Sequence, residues 1–200
     1  AIIDYGVGNL FSLQSSFSAI GEKAIVTRSE CVLRDSDRLV LPGVGAFRDA
    51  RAALNESGLE EVLLDLVGKD RPLLGICLGM QLLLDVSYEF GEFRGLGLVP
   101  GAVRPIAEFV PPCLKVPQMG WNSLHLRKKC PVFSQSSEGD YVYFVHSYWC
   151  DSPAEYIAAT CEYGAELTAA VADGNVYGCQ FHPEKSGEVG MKILRAFTEL

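Results

Sequence analysis

The stretch Pro72-Leu73-Leu74-Gly75-Ile76-Cys77-Leu78-Gly79 joins a short apolar run to a cysteine with a glycine two residues away on either side. Such a run is typical of a strand buried on both faces, and a helical pattern follows over Leu78–Asp85. The spacing is that of a nucleophile elbow, a turn too sharp for side chains at its flanking positions. This stretch therefore predicts a buried strand, a tight turn that exposes the thiol, and a helix.

Upstream of this stretch, apolar runs alternate with helical patterns. Strands are predicted at Ala1–Asp4, Lys23–Val26 and Arg38–Leu41. Helices are predicted at Leu10–Ile20 and from residue 46 to about residue 67, the second one broken near residues 57–58. Strands and helices that alternate in this way favour a parallel sheet with helices on both faces.

Downstream of about residue 91, glycine and proline become frequent and β-like runs follow one another. Gly174 favours a tight hairpin between the last two runs, and a final helix is predicted over Gly187–Leu200. The expected fold class is α/β: a doubly wound, mostly parallel sheet with an antiparallel extension, in a single domain over residues 1–200. The four runs are Tyr141–Ser147, Tyr156–Cys161, Leu167–Ala172 and Val176–Phe181.

Composition and charge narrow the classes of partner. Hydrophobic residues make up 48% and charged residues 21% of the 200 residues, the balance of an ordinary globular protein. The net charge of −8 disfavours nucleic acid, because a phosphate-binding surface needs a basic footprint. No run approaches the roughly 20 apolar residues of a membrane helix, and no lysine-rich face suggests adsorption to a membrane. We expect neither a nucleic-acid nor a membrane partner.

The cysteine pattern predicts a reducing compartment, and we expect the cytoplasm. Seven is an odd number, no CxxC pair occurs and no secretion signal is recognisable, so neither a disulfide framework nor a zinc site is expected. The sequence begins inside an apolar run, so we expect a residue or two upstream of it. The thiols other than Cys77 are predicted to be small buried hydrophobes: Cys31, Cys113, Cys130, Cys150, Cys161 and Cys179.

Cys77 is the candidate nucleophile, and its predicted position activates it. The helix that begins after it directs its amides and positive dipole end at the thiol, which favours thiolate over the free-cysteine pKa of about 8.5. The amide of Leu78 is then a natural half of an oxyanion hole. A structural cysteine in a glycine-rich turn would give the same motif, so the function depends on finding a base.

His182 is the best candidate for that base among three histidines. His125 lies beside a basic stretch and is expected at the surface, while His146 lies within an apolar run and is expected to be structural. His182 follows the run Val176–Phe181, and Pro183 fixes the backbone after it. Glu184 can then turn back to hold one ring nitrogen, which leaves the other to face a thiol, as in a nucleophile–base–acid triad.

Three G-x-G pairs suggest phosphate-binding loops, but none completes the pattern. They are Gly6-x-Gly8, Gly43-x-Gly45 and Gly95-x-Gly97. The dinucleotide fingerprint needs glycine at its sixth position, and no Walker-type G-K-[ST] occurs. Tight turns at strand ends account for these pairs, so no nucleotide cofactor is expected. The residues at the three sixth positions are Phe11, Arg48 and Pro100.

These motifs together resemble a known family. The elbow with its tail Met80-Gln81, and Phe181-His182-Pro183-Glu184, are similar to the class I glutamine amidotransferases. Three further segments resemble one branch of them, the glutaminase subunits of imidazole glycerol phosphate synthase. The resemblance runs from about residue 2 to residue 185, and the three segments are Pro42-Gly43-Val44-Gly45-Ala46-Phe47, Pro117-Gln118-Met119-Gly120-Trp121-Asn122 and Tyr143-Phe144-Val145-His146-Ser147-Tyr148.

The resemblance implies a role for each matching residue. Cys77 would attack the glutamine carboxamide, and His182, held by Glu184, would move the protons through a thioester intermediate. The loop at Val44 and Gly45 would supply the second oxyanion donor beside Leu78. Four residues would hold the amino-acid end of the substrate: Gln81, Glu89, Ser147 and Tyr148.

The resemblance also implies a partner. It would be a (β/α)₈-barrel cyclase subunit that receives ammonia through its barrel and acts on a phosphoribulosyl intermediate of histidine biosynthesis. Trp121, Tyr143 and Lys185 match positions at that interface. Because glycine tolerates φ > 0, the Gly43–Gly45 loop could flip a peptide, and we hypothesise that the isolated subunit is nearly inactive.

Three alternatives remain open at the level of sequence. The chain could be the glutaminase of another class I amidotransferase, which would associate with a different synthase. It could be a free-standing thiol hydrolase of γ-glutamyl peptides, fully active without a partner. It could also be a regulatory module without chemistry, although the complete set of Cys77, His182 and Glu184 weighs against that.

Overall fold

The computed structural model describes all 200 residues, and strands and helices alternate through its first half. The helices are α1 Leu10–Ala19, α2 Glu30–Arg34, α3 Phe47–Glu56, α4 Leu59–Val67, α5 Leu78–Leu82 and α6 Gly187–Thr198. The strands are β1 Ile2–Ile3, β2 Val26–Thr27, β3 Leu39–Leu41, β4 Leu73–Ile76, β5 Val86–Ser87, β6 Phe93–Arg94, β7 Ala102–Pro105, β8 Gln118–Ser123, β9 His125–Leu126, β10 Tyr141–His146, β11 Tyr148–Asp151, β12 Ile157–Glu162, β13 Glu166–Asp173 and β14 Val176–Cys179.

The central sheet has eight strands in the order β2-β1-β3-β4-β14-β13-β12-β9. Its first five strands are parallel to one another, and the last three continue the sheet in antiparallel pairs. Two small sheets, β8-β10 and β11-β7-β5-β6, lie beside it. This arrangement confirms the predicted α/β class, with a mostly parallel sheet and an antiparallel extension.

Helices cover both faces of the parallel strands, as a doubly wound sheet requires. Successive residues of a strand point to opposite faces, and each face has its own apolar core. Ile2 and Val40 lie in one core with residues of α1 and α6. Ile3 and Leu41 lie in the other core, with residues of α2, α3 and α4. The near-continuous apolar runs of the sequence follow from this burial on two sides.

Three neighbouring parallel strands, β3, β4 and β14, end at the same edge of the sheet. The Pro42–Gly45 loop follows β3, Cys77 follows β4, and His182 follows β14 three residues after its end. Because the carboxyl ends of parallel strands lie side by side, the fold brings these three distant segments together. The registers Leu41↔Gly75 and Ile76↔Cys179 fix their relative heights.

Several local predictions required correction. The second strand lies at Val26–Thr27 rather than at 23–26, and the elbow helix ends at Leu82 rather than at 85. The predicted burial is confirmed for Cys130, Cys150, Cys161 and Cys179, but it is wrong for Cys31 and Cys113, which are exposed. Cys31 lies on the short helix α2, which the sequence analysis did not predict, and Cys113 lies in the loop before β8. No helix is long and apolar enough to cross a membrane.

Candidate active site

Cys77 lies at the tip of a sharp turn between β4 and α5. Its backbone has φ 56° and ψ −113°, a conformation that non-glycine residues rarely adopt. A Cβ atom at Gly79 would lie 1.9 Å from the carbonyl oxygen of Leu41, and one at Gly75 would lie 2.8 Å from the carbonyl carbon of Gly79. The two glycines are therefore required by close backbone packing, and the turn has the geometry of a nucleophile elbow.

His182 and Glu184 form a buried, hydrogen-bonded pair. The Nδ1 atom of His182 lies 2.8 Å from Oε1 of Glu184, and the two side chains are only 4% and 1% exposed. The backbone is fixed as well, because His182 N–H donates to the carbonyl of Tyr143 and the hydroxyl of Ser186 donates to the carbonyl of His182. The carboxylate therefore holds the ring in one orientation, with Nε2 left for another partner.

Cys77 and His182 line the same cavity, and the thiol is the neighbouring group that most raises the pKa of the ring. Burial lowers the pKa of His182, but hydrogen bonds with Cys77 and Glu184, and the negative charge of both groups, together raise it to about 9. An imidazolium near neutral pH stabilises a neighbouring thiolate, the nucleophilic form of cysteine. Cys77 and His182 therefore line one cavity, with Glu184 bonded to the imidazole, the set of groups that a thiol–imidazole–carboxylate triad requires.

A cavity of about 520 Å³ opens over the triad. Cys77 and His182 line it, together with all the residues predicted to bind substrate or oxyanion. The volume is ample for a free amino acid. The predicted lining residues are Val44, Gly45, Leu78, Gln81, Glu89, Ser147 and Tyr148.

The two predicted oxyanion segments lie against each other. Leu78 is the first residue of α5, so its amide has no acceptor within the helix. A Cβ atom at Gly43 would lie 2.7 Å from the amide nitrogen of Gly79, so the Gly43–Gly45 loop directly contacts the elbow. Gly45 has φ 95°, in the region that favours glycine.

Two buried polar side chains line the cavity, Gln81 and Glu89. Gln81 donates from Nε2 to the carbonyl of Tyr148 at 3.1 Å. Glu89 accepts at 2.6 Å from the amide of Phe47, the first residue of α3, and burial raises the pKa of its carboxyl. A carboxylate and an amide oxygen suit the ammonium group of an amino acid.

The predicted interface residues form a cluster next to the cavity, in which Trp121 and Lys185 are exposed and Tyr143 is half-buried. Trp121 on β8 pairs with Tyr143 on β10, and their ring centroids lie 6.0 Å apart. The Lys185 ammonium lies 6.0 Å from the centre of the Tyr143 ring, and Lys185 also lines the cavity. Met119 belongs to the same face of β8 as Trp121, and both are more than half exposed. An apolar patch of this kind is typical of a protein interface.

His146 has the predicted structural role, and His125 is partly exposed, as expected of a surface residue. His146 is buried, with Nδ1 2.8 Å from the carbonyl of Tyr148 and Nε2 3.1 Å from Oε1 of Gln118, and desolvation lowers its pKa to about 4. It lines the cavity as a neutral ring. His125 lies at the surface and contacts Glu138.

Two residues of the site, Gln180 and Phe90, were not predicted from the sequence. Gln180 is fully buried beside Cys77, and Phe90 lines the cavity with its ring against Tyr148. The position of Gln180 at the end of a strand, two residues before His182, was the available signal. Phe90 lies in a loop, with a positive φ of 54°, and no sequence pattern indicated its position in the site.

Comparison with known proteins defines the class. A profile described as glutamine amidotransferase class-I matches residues 1–199. The chain therefore belongs to the class I glutamine amidotransferase family.

Full-length relatives narrow the assignment within this family. The imidazole glycerol phosphate synthase subunit HisH of Geobacter sulfurreducens is 47% identical over 204 residues, covering 100% of this chain and 98% of the relative. The subunit of the same name from Bacillus cytotoxicus is 46% identical over 197 residues, covering 98% and 92%. These similarities place the chain in the HisH branch, and it is an enzyme of the glutamine amidotransferase class.

Solved structures agree at the level of the fold. A glutamine amidotransferase crystal structure superposes with a TM-score of 0.76 at 19% identity and covers 99% of this chain and 97% of its own. PurLQS from Thermotoga maritima gives a TM-score of 0.76 at 18% identity, with 99% and 96% covered. The class I amidotransferase fold is therefore shared well beyond sequence similarity.

Proposed function

We propose that this chain hydrolyses glutamine to glutamate and ammonia, with Cys77 as nucleophile, His182 as acid and base, and Glu184 as the group that orients it. The observation that carries the proposal is the buried His182–Glu184 pair beside Cys77 at the elbow. The product ammonia serves a cyclase subunit in histidine biosynthesis, as the name of the HisH relatives suggests.

In the first half of the reaction, the thiolate of Cys77 attacks the carboxamide carbon of glutamine. The amide of Leu78 and an amide of the Val44–Gly45 segment donate to the oxygen that becomes negative, a contribution typically on the order of a hundredfold or more in rate. The imidazolium of His182 then gives its proton to the departing nitrogen. Ammonia leaves, and a γ-glutamyl thioester remains on Cys77.

In the second half, neutral His182 takes a proton from water, which attacks the thioester carbon. The same oxyanion donors stabilise the second tetrahedral intermediate, and the C–S bond breaks to release glutamate. Glu184 stays ionised throughout and holds the ring through Nδ1. At the other end of the substrate, Gln81, Glu89, Ser147 and Tyr148 bind the amino and carboxyl groups.

The ammonia requires a second protein, because free ammonia is mostly protonated at neutral pH. The cluster of Trp121, Tyr143 and Lys185 beside the cavity supports a docking site for a (β/α)₈-barrel cyclase subunit. Ammonia would then pass directly into the barrel. The seven free thiols are compatible with the reducing cytoplasm in which we expect this complex to work.

The Gly43–Gly45 loop supports control of the reaction by that partner. A peptide between two glycines can rotate at low cost, so the second oxyanion donor can be turned away from the site. We propose that the isolated subunit holds the loop in this inactive orientation. Docking of the occupied cyclase would then turn the amide toward the substrate.

The test is glutamate release from glutamine, measured with and without the cognate cyclase subunit and its ribonucleotide ligand. Wild type should be strongly stimulated by the occupied cyclase. Cys77→Ala should lose this activity, while Cys113→Ser, which removes an exposed thiol outside the cavity, should retain it. Full activity without any cyclase would instead favour a free-standing thiol hydrolase. Stimulation by a different synthase would favour another class I amidotransferase.

A further inference from the structure

Gln180 is a buried amide that contacts the nucleophile. Its side chain is 0% exposed, and its Nε2 atom lies 3.8 Å from Sγ of Cys77. Its Oε1 atom accepts from Nε2 of Gln81 at 3.0 Å. Gln180 is therefore a bridge between the reacting sulfur and a side chain of the substrate cavity.

The fold gives Gln180 this position. Strands β4 and β14 are parallel neighbours, and the register pairs Ile76 with Cys179. Cys77 follows Ile76 and Gln180 follows Cys179, so the two side chains lie side by side at the edge of the sheet. The amide N–H of Cys77 also donates to the carbonyl of Cys179 at 2.8 Å, which fixes the separation of the two backbones.

The hydrogen bonds determine which way both amides face. The carbonyl of Tyr148 can only accept, so the NH₂ group of Gln81 must point toward it and toward Gln180. Gln180 must then present its oxygen to Gln81, because two NH₂ groups cannot bond to each other. The NH₂ group of Gln180 is left facing the sulfur. The same network leaves Oε1 of Gln81 available as an acceptor in the cavity.

On the basis of the function proposed above, we infer that Gln180 is a positioning residue that donates an N–H to the thiolate of Cys77 and fixes Gln81 as an acceptor for substrate. A donor at the sulfur stabilises the charged form relative to the thiol. The acceptor oxygen of Gln81 suits the ammonium of an amino acid. One side chain thus positions both the nucleophile and the Gln81 oxygen that would accept from substrate, without itself contacting the reacting carbon.

The experiment is the pH dependence of Cys77 alkylation by iodoacetamide in the full-length chain, followed by peptide mass spectrometry. Gln180→Met keeps the length of the side chain but removes its N–H donor. It should raise the pH midpoint of alkylation by about one unit, the equivalent of one hydrogen bond to a charged group. Gln135→Met is the matched control: Gln135 lies outside the cavity, so this variant should leave the midpoint unchanged. Gln81→Met should raise the KM for glutamine in the complex with the cyclase.

A second variant keeps the inference testable if Gln180→Met does not fold. Gln180→Glu keeps an acceptor for Gln81 and places a carboxylate at the sulfur, so it should raise the midpoint further. An unchanged midpoint in a folded Gln180→Met or Gln180→Glu protein would overturn the inference and leave Gln180 a packing residue. Alkylation of Cys77 needs no turnover, so it tests the role of Gln180 independently of glutamine hydrolysis. The proposed function itself would fail if alkylation of Cys77 left glutamate release intact.

Discussion

At the scale of single residues, the site depends on one strained backbone and one buried ion pair. Cys77 has positive φ, which costs on the order of 1–3 kcal/mol for a non-glycine residue. The strain lifts the sulfur off the sheet edge and toward His182. The second oxygen of Glu184 is buried without a hydrogen-bond partner, so this carboxylate is committed to the imidazole.

Replacement of Glu184 by glutamine should show whether its charge on the His182 ring matters for catalysis, apart from its contribution to the fold. The amide has the same shape, but it carries no charge and cannot favour the imidazolium. We expect glutamate release by the stimulated complex to fall on the order of a hundredfold to ten-thousandfold, with little change in KM. Steady-state kinetics would measure this, and Glu188→Gln, an exposed neighbour at the start of α6, should behave as wild type. A wild-type rate in Glu184→Gln would remove this carboxylate from the mechanism.

At the scale of elements, backbone packing around the elbow determines which residues are tolerated. Helix α5 lies so close to β3 that Gly79 has no room for a methyl group beside Leu41. The loop at Gly43 also lies too close to α5 for a side chain, since a Cβ atom there would lie 2.7 Å from the amide nitrogen of Gly79. The oxyanion donors and the thiol are therefore held by contacts between main chains, which are less adaptable than contacts between side chains.

Two glycine substitutions test this packing. Gly79→Ala should lower the free energy of unfolding by at least about 3 kcal/mol, because the backbone of β3 must move. Gly68→Ala is the control, since Gly68 ends α4 with φ −63°, and alanine there should change stability by less than about 1 kcal/mol. Urea unfolding monitored by circular dichroism measures both. Equal stability of the two variants would contradict the close approach of α5 to β3.

His146 links three strands and should make stability depend on pH. Its ring bonds to Tyr148 on β11 and to Gln118 on β8, and its pKa is lowered to about 4 by burial. The unfolded chain, with a histidine pKa near 6.5, binds more protons between these values. The contribution of His146 to the free energy of unfolding should therefore be fully present above about pH 6.5, and the free energy of unfolding should fall by about 3 kcal/mol as the pH drops to about 4.

The measurement is urea unfolding of wild type and His146→Gln across this pH range. Glutamine keeps one donor and one acceptor but does not titrate. The difference in unfolding free energy between the two proteins should shrink as the pH falls. A difference that is independent of pH would mean that His146 is solvated or already charged in the folded protein.

The sequence predicted most of this architecture because its signals are local. The apolar run before Cys77, the break between α3 and α4 near Gly58 and the hairpin at Gly174 each depend on a few adjacent residues. The end of α5 at Leu82 was not predictable, because the helical pattern continues beyond it. The contact of Gln180 with Cys77 was missed because it depends on the register of β4 and β14, which lie about a hundred residues apart.

At the scale of the whole molecule, the aromatic cluster lies at the same side as the site. Trp121 and Tyr143 belong to the small sheet β8-β10, and Lys185 connects that sheet to the cavity. A protein that produces ammonia for another active site needs its docking surface beside its own active site. The cluster satisfies this requirement, whereas the amino end of the parallel strands lies opposite.

A substitution in the proposed docking surface should uncouple this chain from the cyclase without damage to the fold. Trp121→Lys should weaken association with the cyclase by at least about tenfold and reduce stimulation accordingly, because large aromatic side chains dominate interface energies. Ile25→Lys is the matched control, since Ile25 is also exposed but precedes β2, an edge strand of the central sheet, and lies outside the β8-β10 sheet. Isothermal titration calorimetry measures both affinities. Equal affinities in the two variants would place the interface elsewhere.

The most direct test of the central claim is covalent trapping of the nucleophile. A glutamine analogue that carries an electrophile in place of the carboxamide should react with one residue of the cyclase-bound chain, and peptide mass spectrometry identifies that residue. We expect modification of Cys77 alone, much slower reaction in His182→Asn, and protection by excess glutamine. Modification of another thiol, such as the exposed Cys31 or Cys113, or reaction at Cys77 that glutamine does not prevent, would contradict it.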